Sequence, residues 1–283
     1  MTTKAAGRTG KRLWLREWRI LFSLAVLGAI ALAVFIGPYF LPDFEYQNLE
    51  NQLASPSLSH WLGTDHLGRD MLARVLVGGQ LSLWVGFLGT AVSVVVGSVY
   101  GGVAGYFSSR VDQWMMRLVD ILYSLPYMFL VIILIFLFGK NLYVLFLALG
   151  LVQWLTIARI VRGQVLALKH EEFVLAAKAL GVSPWIILPR HILPNILGVV
   201  IIYATLTVPS VILQESFLSF LGLNVQSCTW GVLIAEGKDY MDIAWWMIVF
   251  PGGLLSLSLF ALNFLGDALR DALDPTLTSS PNR

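Results

Sequence analysis

The chain has 283 residues, of which 57% are hydrophobic and 13% charged, with a formal net charge of +2. Soluble domains carry about 25% charged residues, so this deficit excludes an ordinary soluble protein and places the chain in a membrane. No nucleic-acid partner is expected. A hydrocarbon core of about 30 Å takes around 20 helical residues to cross. Apolar runs of that length begin near Ile20, Leu81, Val119, Leu142, Ile196 and Ala244. Six spans are predicted. Their Ile, Leu, Val, Phe, Ala and Gly content is that of buried helices rather than the period-2 alternation of barrel strands, so the expected fold class is an all-α membrane protein.

The chain opens with a basic tail over 1–19, carrying Lys4, Arg8, Lys11, Arg12, Arg16 and Arg19, which can meet anionic lipid. A first span follows over 20–41. The pair could be taken for a signal peptide, but the next residues are Gly37-Pro38-Tyr39-Phe40-Leu41-Pro42 and not an A-x-A cleavage site, so an uncleaved span is expected. With the tail inside, the alternate loops add Arg110, Arg117, Arg159, Arg162, Lys169, Lys178, Arg190, Arg270 and Arg283. Arg69, Arg74, Lys140 and Lys238 remain outside. Fifteen positive charges against four put both termini in the cytoplasm.

Residues 42–80 are the predicted extracytoplasmic segment. Asp65 and Asp70 there are candidate metal ligands. They can equally be structural, since Thr64 and Asp65 suit helix N-caps, Arg69 is a ready partner for either carboxylate, and Gly63 and Gly68 suit turns. A short interfacial helix or turn is expected. The five remaining spans form a core over 81–270. Gly97, Gly101 and Gly105 recur every four residues in the second span, a spacing that lets helix backbones approach closely, either inside the subunit or at a dimer seam.

Between two long apolar runs lies HEEFVLAAKALGVSPWIILPRHILPN, His170 to Asn195, the predicted cytoplasmic elbow over 170–195. Glu171 and Glu172 complement the positive end of a helix dipole. Phe173, Ala176, Ala177 and Leu180 lie at i, i+3, i+4 and i+7 on one face. Gly181 is a C-terminal stop, where a missing side chain permits the turn and a close approach. Ser183-Pro184 restarts a second short helix, and Pro189 and Pro194 bound the segment after it. The small residues Ala176, Ala177 and Ala179, beside Phe173 and Leu180, suit a groove on a soluble partner. An amphipathic helix at the lipid surface would carry a basic polar face, and only Lys178 lies between Glu172 and Gly181. Near the outer end of the fifth span, Gln214 and Glu215 are candidates for a gate, a pore lining, a contact with an extracytoplasmic protein or a structural role. The single Cys228 has no internal partner for a disulfide. The last residues, 271–283, form a cytoplasmic tail.

No G-x-x-x-x-G-K-[ST] loop, HExxH or paired-cysteine spacing occurs, so nothing here grips nucleotide or metal by a known motif, and no catalytic, cofactor-binding or metal site is assigned. The energy source then lies elsewhere. An ion-coupled secondary transporter, the alternative class, would place ionisable groups near the bilayer midplane, and the predicted span interiors are nearly free of them. A non-transporting scaffold is a third class.

The elbow resembles the EAA signature of ABC importer permeases, with Ala176, Ala177 and Gly181 in register and Leu193-Pro194, followed by Asn195, at the motif end. Leu175 stands at the signature glutamate position. LGTDHLGRD (Leu62 to Asp70), QESFLSFLGLNVQSCTWG (Gln214 to Gly231) and NFLGDALRDALDP (Asn263 to Pro275) are similar to blocks of the C-type permease subunit of the peptide/nickel importer family. The resemblance runs from about Leu13 to Leu277. It implies a type I importer permease fold in a bacterial or archaeal plasma membrane. It also implies a second permease as heterodimer partner, two ABC ATPase subunits holding ATP and Mg, and an extracytoplasmic solute-binding protein. Glu172, Phe173, Ala176, Ala177, Lys178, Leu180, Gly181, Ser183 and Pro184 would then form the coupling helix. Dipeptides, longer peptides, nickel chelates and glutathione are the solute classes the family admits.

Overall fold

A computed structural model describes residues 3–223 and 228–273 of the chain. Most of the expected tail over 271–283, and residues 224–227 within the Gln214–Gly231 block, lie outside these residues. The charges expected at Lys4 to Arg16 lie outside the described side chains. Every regular element among the described residues is helical. The helices are α1 Thr3–Ile36, α2 Met71–Tyr106, α3 Ser109–Ser124, α4 Tyr127–Phe138, α5 Leu142–Leu168, α6 Glu172–Ala179, α7 Pro184–Ile187, α8 Leu193–Phe220, α9 Trp230–Gly237 and α10 Trp246–Leu273. Among the described residues, five segments are long and apolar enough to cross a membrane, and a sixth if the bent pair α3 and α4 counts as one span.

Two spans depart from the sequence expectation. The second begins at Met71 and not near Leu81, because Asp70 caps it: its Oδ1 accepts from the Ala73 amide at 3.0 Å. At 36 residues α2 is about 54 Å long, well beyond the roughly 30 Å apolar layer, so its first turns need not be apolar. The third span is broken. Pro126 holds Leu125 in an extended conformation, and α3 and α4 meet at 91°.

The chain forms two compact units, Met1–Gly86 with Ile212–Arg283, and Phe87–Val211. In the first unit α1 packs on α10. Met71, Val75, Cys228, Leu233, Ala244, Trp246 and Met247 make its core. Trp230 is fully buried, its indole donating to the Val75 carbonyl at 2.9 Å. In the second unit the glycine repeat packs inside the subunit. A Cβ on Gly97 would lie 2.6 Å from Ile157, one on Gly105 would lie 2.9 Å from the Arg162 carbonyl, and one on Gly101 would strike the Ala158 backbone. The backbones of α2 and α5 therefore touch, which answers the alternative of a dimer seam for these three positions.

Two pairs of charges sit within the second unit. Arg162 grips Asp112 through two hydrogen bonds, at 2.5 and 2.7 Å, and Arg159 donates to Asp120 at 2.8 Å while lying over the Tyr123 ring. Both arginines belong to α5, not to the loop in which charge counting placed them. Each is neutralised by a carboxylate of α3, which is how an apolar helix tolerates them.

Candidate functional site

The elbow is built by local signals that the sequence states openly. Glu171 is extended and its carbonyl accepts from Val174 and Leu175, starting α6, with Glu172 in the first turn. The helix ends in a Schellman motif: the Val182 amide donates to the Ala177 carbonyl at 3.1 Å and the Gly181 amide to Lys178 at 3.0 Å. Gly181 has φ +74°, a conformation costly for a residue with a Cβ. Apart from its chain neighbours, no heavy atom of the described residues lies within 4 Å of the position a Cβ would take there. The glycine is needed for its backbone conformation, and the close approach expected of it is not made among the described residues. Ser183 precedes Pro184 as the cap of α7, its carbonyl accepting from Ile186 and Ile187, although its hydroxyl makes no cap bond.

The second arm is longer than expected. Pro189 and Pro194 do not end it: Leu188–Ile192 form a π-helical stretch that passes directly into α8. The widened turn re-satisfies backbone groups around Pro189, so Pro184–Phe220 is continuous helix. Leu193, Pro194 and Asn195 therefore lie at the head of α8 and close no element. Leu193 packs on the core, and the Asn195 side chain donates back to the His191 carbonyl at 2.5 Å.

The face expected to dock is divided by the structure. Ala177 is only 7% exposed and, with Val174, packs into a core of Tyr106, Val165, Ile187, Leu188 and Ile192. It anchors the elbow to its own subunit and is not part of an outward face. Turned outward are Glu172, Phe173, Leu175, Ala176, Lys178, Ala179 and Leu180, the last 84% exposed. Trp185 and Ile186 of α7 continue this apolar surface. Leu175, which stands at the signature glutamate position, is thus part of the outward face. Sequence reasoning missed Trp185 and Ile186, because the small residues of α6 that mark a docking face have no counterpart in α7.

Gln214 and Glu215 belong to the other compact unit. Glu215 is 1% exposed, and its carboxylate accepts from Ser219 Oγ at 2.7 Å and Thr229 Oγ1 at 2.8 Å. These bonds tie α8 to the start of α9, where Gly231 lies so close to Ser216 that a Cβ would sit 2.5 Å from its Cα. Of the candidate roles for Glu215, this geometry is structural. Gln214 is half-buried on the same helix.

The block Leu62 to Asp70 forms a turn and not a helix, with Gly63 and Gly68 at φ +75° and +70°. Asp65 is buried and bound by Arg69 Nε and Arg74 Nη1, both at 2.6 Å; Arg74 also reaches Glu236 at 2.8 Å. Burial alone would raise the Asp65 carboxyl, but the Arg74 charge and the Arg69 hydrogen bonds outweigh it and hold the pKa below its ordinary value. Asp65, His66 and Glu236 are close enough to share a cation. Two guanidinium groups already occupy that position, and they would repel one. Asp70 caps α2 and bonds His60 at 3.0 Å. Cys228 is buried, which pushes its thiol up to about 11.

Among known protein families, the one described as binding-protein-dependent transport system inner membrane component matches residues 93–279. The oligopeptide transport system permease protein OppC of Escherichia coli K12 is 49% identical over 271 residues, covering 94% of this chain and 89% of that protein. OppC of Haemophilus influenzae is 46% identical, covering 94% and 87%. The dipeptide transport system permease protein DppC of Bacillus subtilis is 44% identical, covering 91% and 81%. Among solved structures, an inward-facing form of the MetNI methionine ABC transporter matches with a TM-score of 0.57 at 20% identity, covering 71% of this chain and 96% of that one. That likeness concerns the fold.

Proposed function

The chain belongs to the family of binding-protein-dependent transport system inner membrane components, and from that membership we propose that it forms half of the transmembrane pathway of an importer for peptides. As a permease component of ABC importers it is a multi-pass plasma-membrane protein without an ATPase site of its own, ATP being hydrolysed by separate subunits. Family membership favours this driven permease over an ion-coupled carrier. The proposed partners are a second permease, two ATPase subunits that hold ATP and Mg, an extracytoplasmic solute-binding protein and the surrounding lipid. Both termini face the cytoplasm in this reading. Peptides are the solute class, since the relatives named above carry oligopeptide and dipeptide transport in their descriptions.

The elbow is the coupling element. The observation that carries this is an outward apolar surface, Phe173, Leu175, Leu180, Trp185 and Ile186, held on a Schellman turn in a chain whose ATPase is a separate subunit. A groove that receives such a surface gains most from its most protruding apolar anchor. Leu180→Asp is expected to weaken retention of the ATPase subunits on the purified permease by about tenfold or more, because it buries a charge where an apolar side chain belongs. Unchanged retention in a pull-down titration removes Leu180 from the docking face.

A further inference from the structure

The end of α2 is gripped by the elbow and by the residue that leads into it from α5. Lys169, just before α6, donates to the Gly105 carbonyl at 3.0 Å, one of the terminal carbonyls that an α-helix leaves without an internal partner. A cation at that end is also favoured by the helix dipole. Lys178 of α6 lies over the Tyr106 ring with its Nζ 5.2 Å from the centroid, and its Nζ contacts the Lys169 carbonyl at 3.4 Å. Phe107 meets Trp185 of α7 at a ring-centroid distance of 4.8 Å. Beneath these contacts Tyr106, Val174, Ala177, Ile187 and Leu188 share one core. At the end of α2 and the residue after it, Tyr106 and Phe107 thus touch both arms of the elbow, while Gly105 is held by Lys169 at the end of α5.

Covalent continuity already links the elbow to α5 and α8. The clasp adds a span separated from it by more than sixty residues of sequence, through contacts that would move with the elbow. We propose that Lys169, Lys178 and Trp185 are positioning residues that carry displacement of the elbow into α2. The inference rests on the coupling reading of the elbow.

A test that separates the two uses the full complex in nanodiscs, comparing deuterium uptake before and after trapping with ATP and vanadate. In the parent, trapping is expected to alter uptake both over 172–183 and over 103–110. In Lys178→Met, and in Phe107→Ala, which removes the Trp185 contact from the α2 side, the elbow response persists, while the response over 103–110 falls about two- to fivefold, the scale of one partly exposed cation–π or aromatic contact. Lys178→Arg, which keeps a cation over the ring, restores it. Neither Lys178 nor Phe107 belongs to the outward apolar surface of Phe173, Leu175, Leu180, Trp185 and Ile186, so assembly survives, and size-exclusion of the complex verifies it. An undiminished response over 103–110 in both variants overturns the proposal and leaves the coupling reading standing. Absence of any response over 172–183 in the parent overturns the coupling reading, and this inference falls with it.

Discussion

Gly181 shows how a single φ angle can specify an elbow. Its left-handed backbone lets two amides reach back to the carbonyls of Ala177 and Lys178, and among the described residues nothing occupies the space where a side chain would stand. Asparagine tolerates that conformation far better than a branched apolar residue. Gly181→Asn is therefore expected to keep nearly parental transport per ATP hydrolysed. Gly181→Leu, strained by about 1–2 kcal/mol, is expected to lower it. Equal losses in a proteoliposome assay would show that a neighbouring subunit, not the backbone, requires the glycine. The same residue was legible in the sequence as a helix stop, because Schellman glycines are local. Ala177 was not, since an i, i+3, i+4, i+7 set marks a face without saying which way the face turns. Val174, apolar and one turn earlier on the inner side, was the available signal.

At the scale of elements, the close pairing of α2 and α5 depends on glycine where backbone meets backbone. A Cβ at Gly101 would collide with the Ala158 main chain, which cannot step aside, whereas one at Gly102 meets Leu188 methyls at an ordinary 3.5 Å. Gly101→Ala is thus expected to lower the melting temperature of the purified permease, at a cost of about 1–3 kcal/mol for overpacking. Gly102→Ala should be neutral or slightly stabilising, since alanine is the better helix former. Matching melting curves for the two variants would mean that α2 and α5 are not in backbone contact. Helix existence was legible from hydropathy, which sees length and apolarity. Breaks and starts were less so. A bend of 91° at Pro126 and a start at Met71 depend on one proline and one aspartate cap, neither of which changes a hydropathy window.

For the molecule as a whole, the informative feature is how charges at widely separated positions find one another. Asp65, Arg69, Arg74 and Glu236 tie the turn before α2 to α2 itself and to α9. Because the Asp65 pKa is lowered on folding, this clasp contributes fully above the ordinary carboxylate value of 3.8 and is lost as pH falls below it. Thermal unfolding of the detergent-solubilised permease is therefore expected to shift to lower temperature below about pH 4, and Asp65→Asn should flatten that dependence while lowering stability at neutral pH. An identical acid profile in the variant would remove Asp65 from the clasp. Arg69 was foreseeable as a neighbour four residues on; Glu236, 162 residues from Arg74, had no local signal at all. Arg159 and Arg162 obey the same logic with a temporal consequence. Their carboxylate partners, Asp120 and Asp112, stand on α3, which leaves the ribosome before α5. Each acid is already waiting when its base is made, so the arginines need not enter the lipid as naked charges, and a rearranged gene that delivered α5 first would lose that protection during biosynthesis.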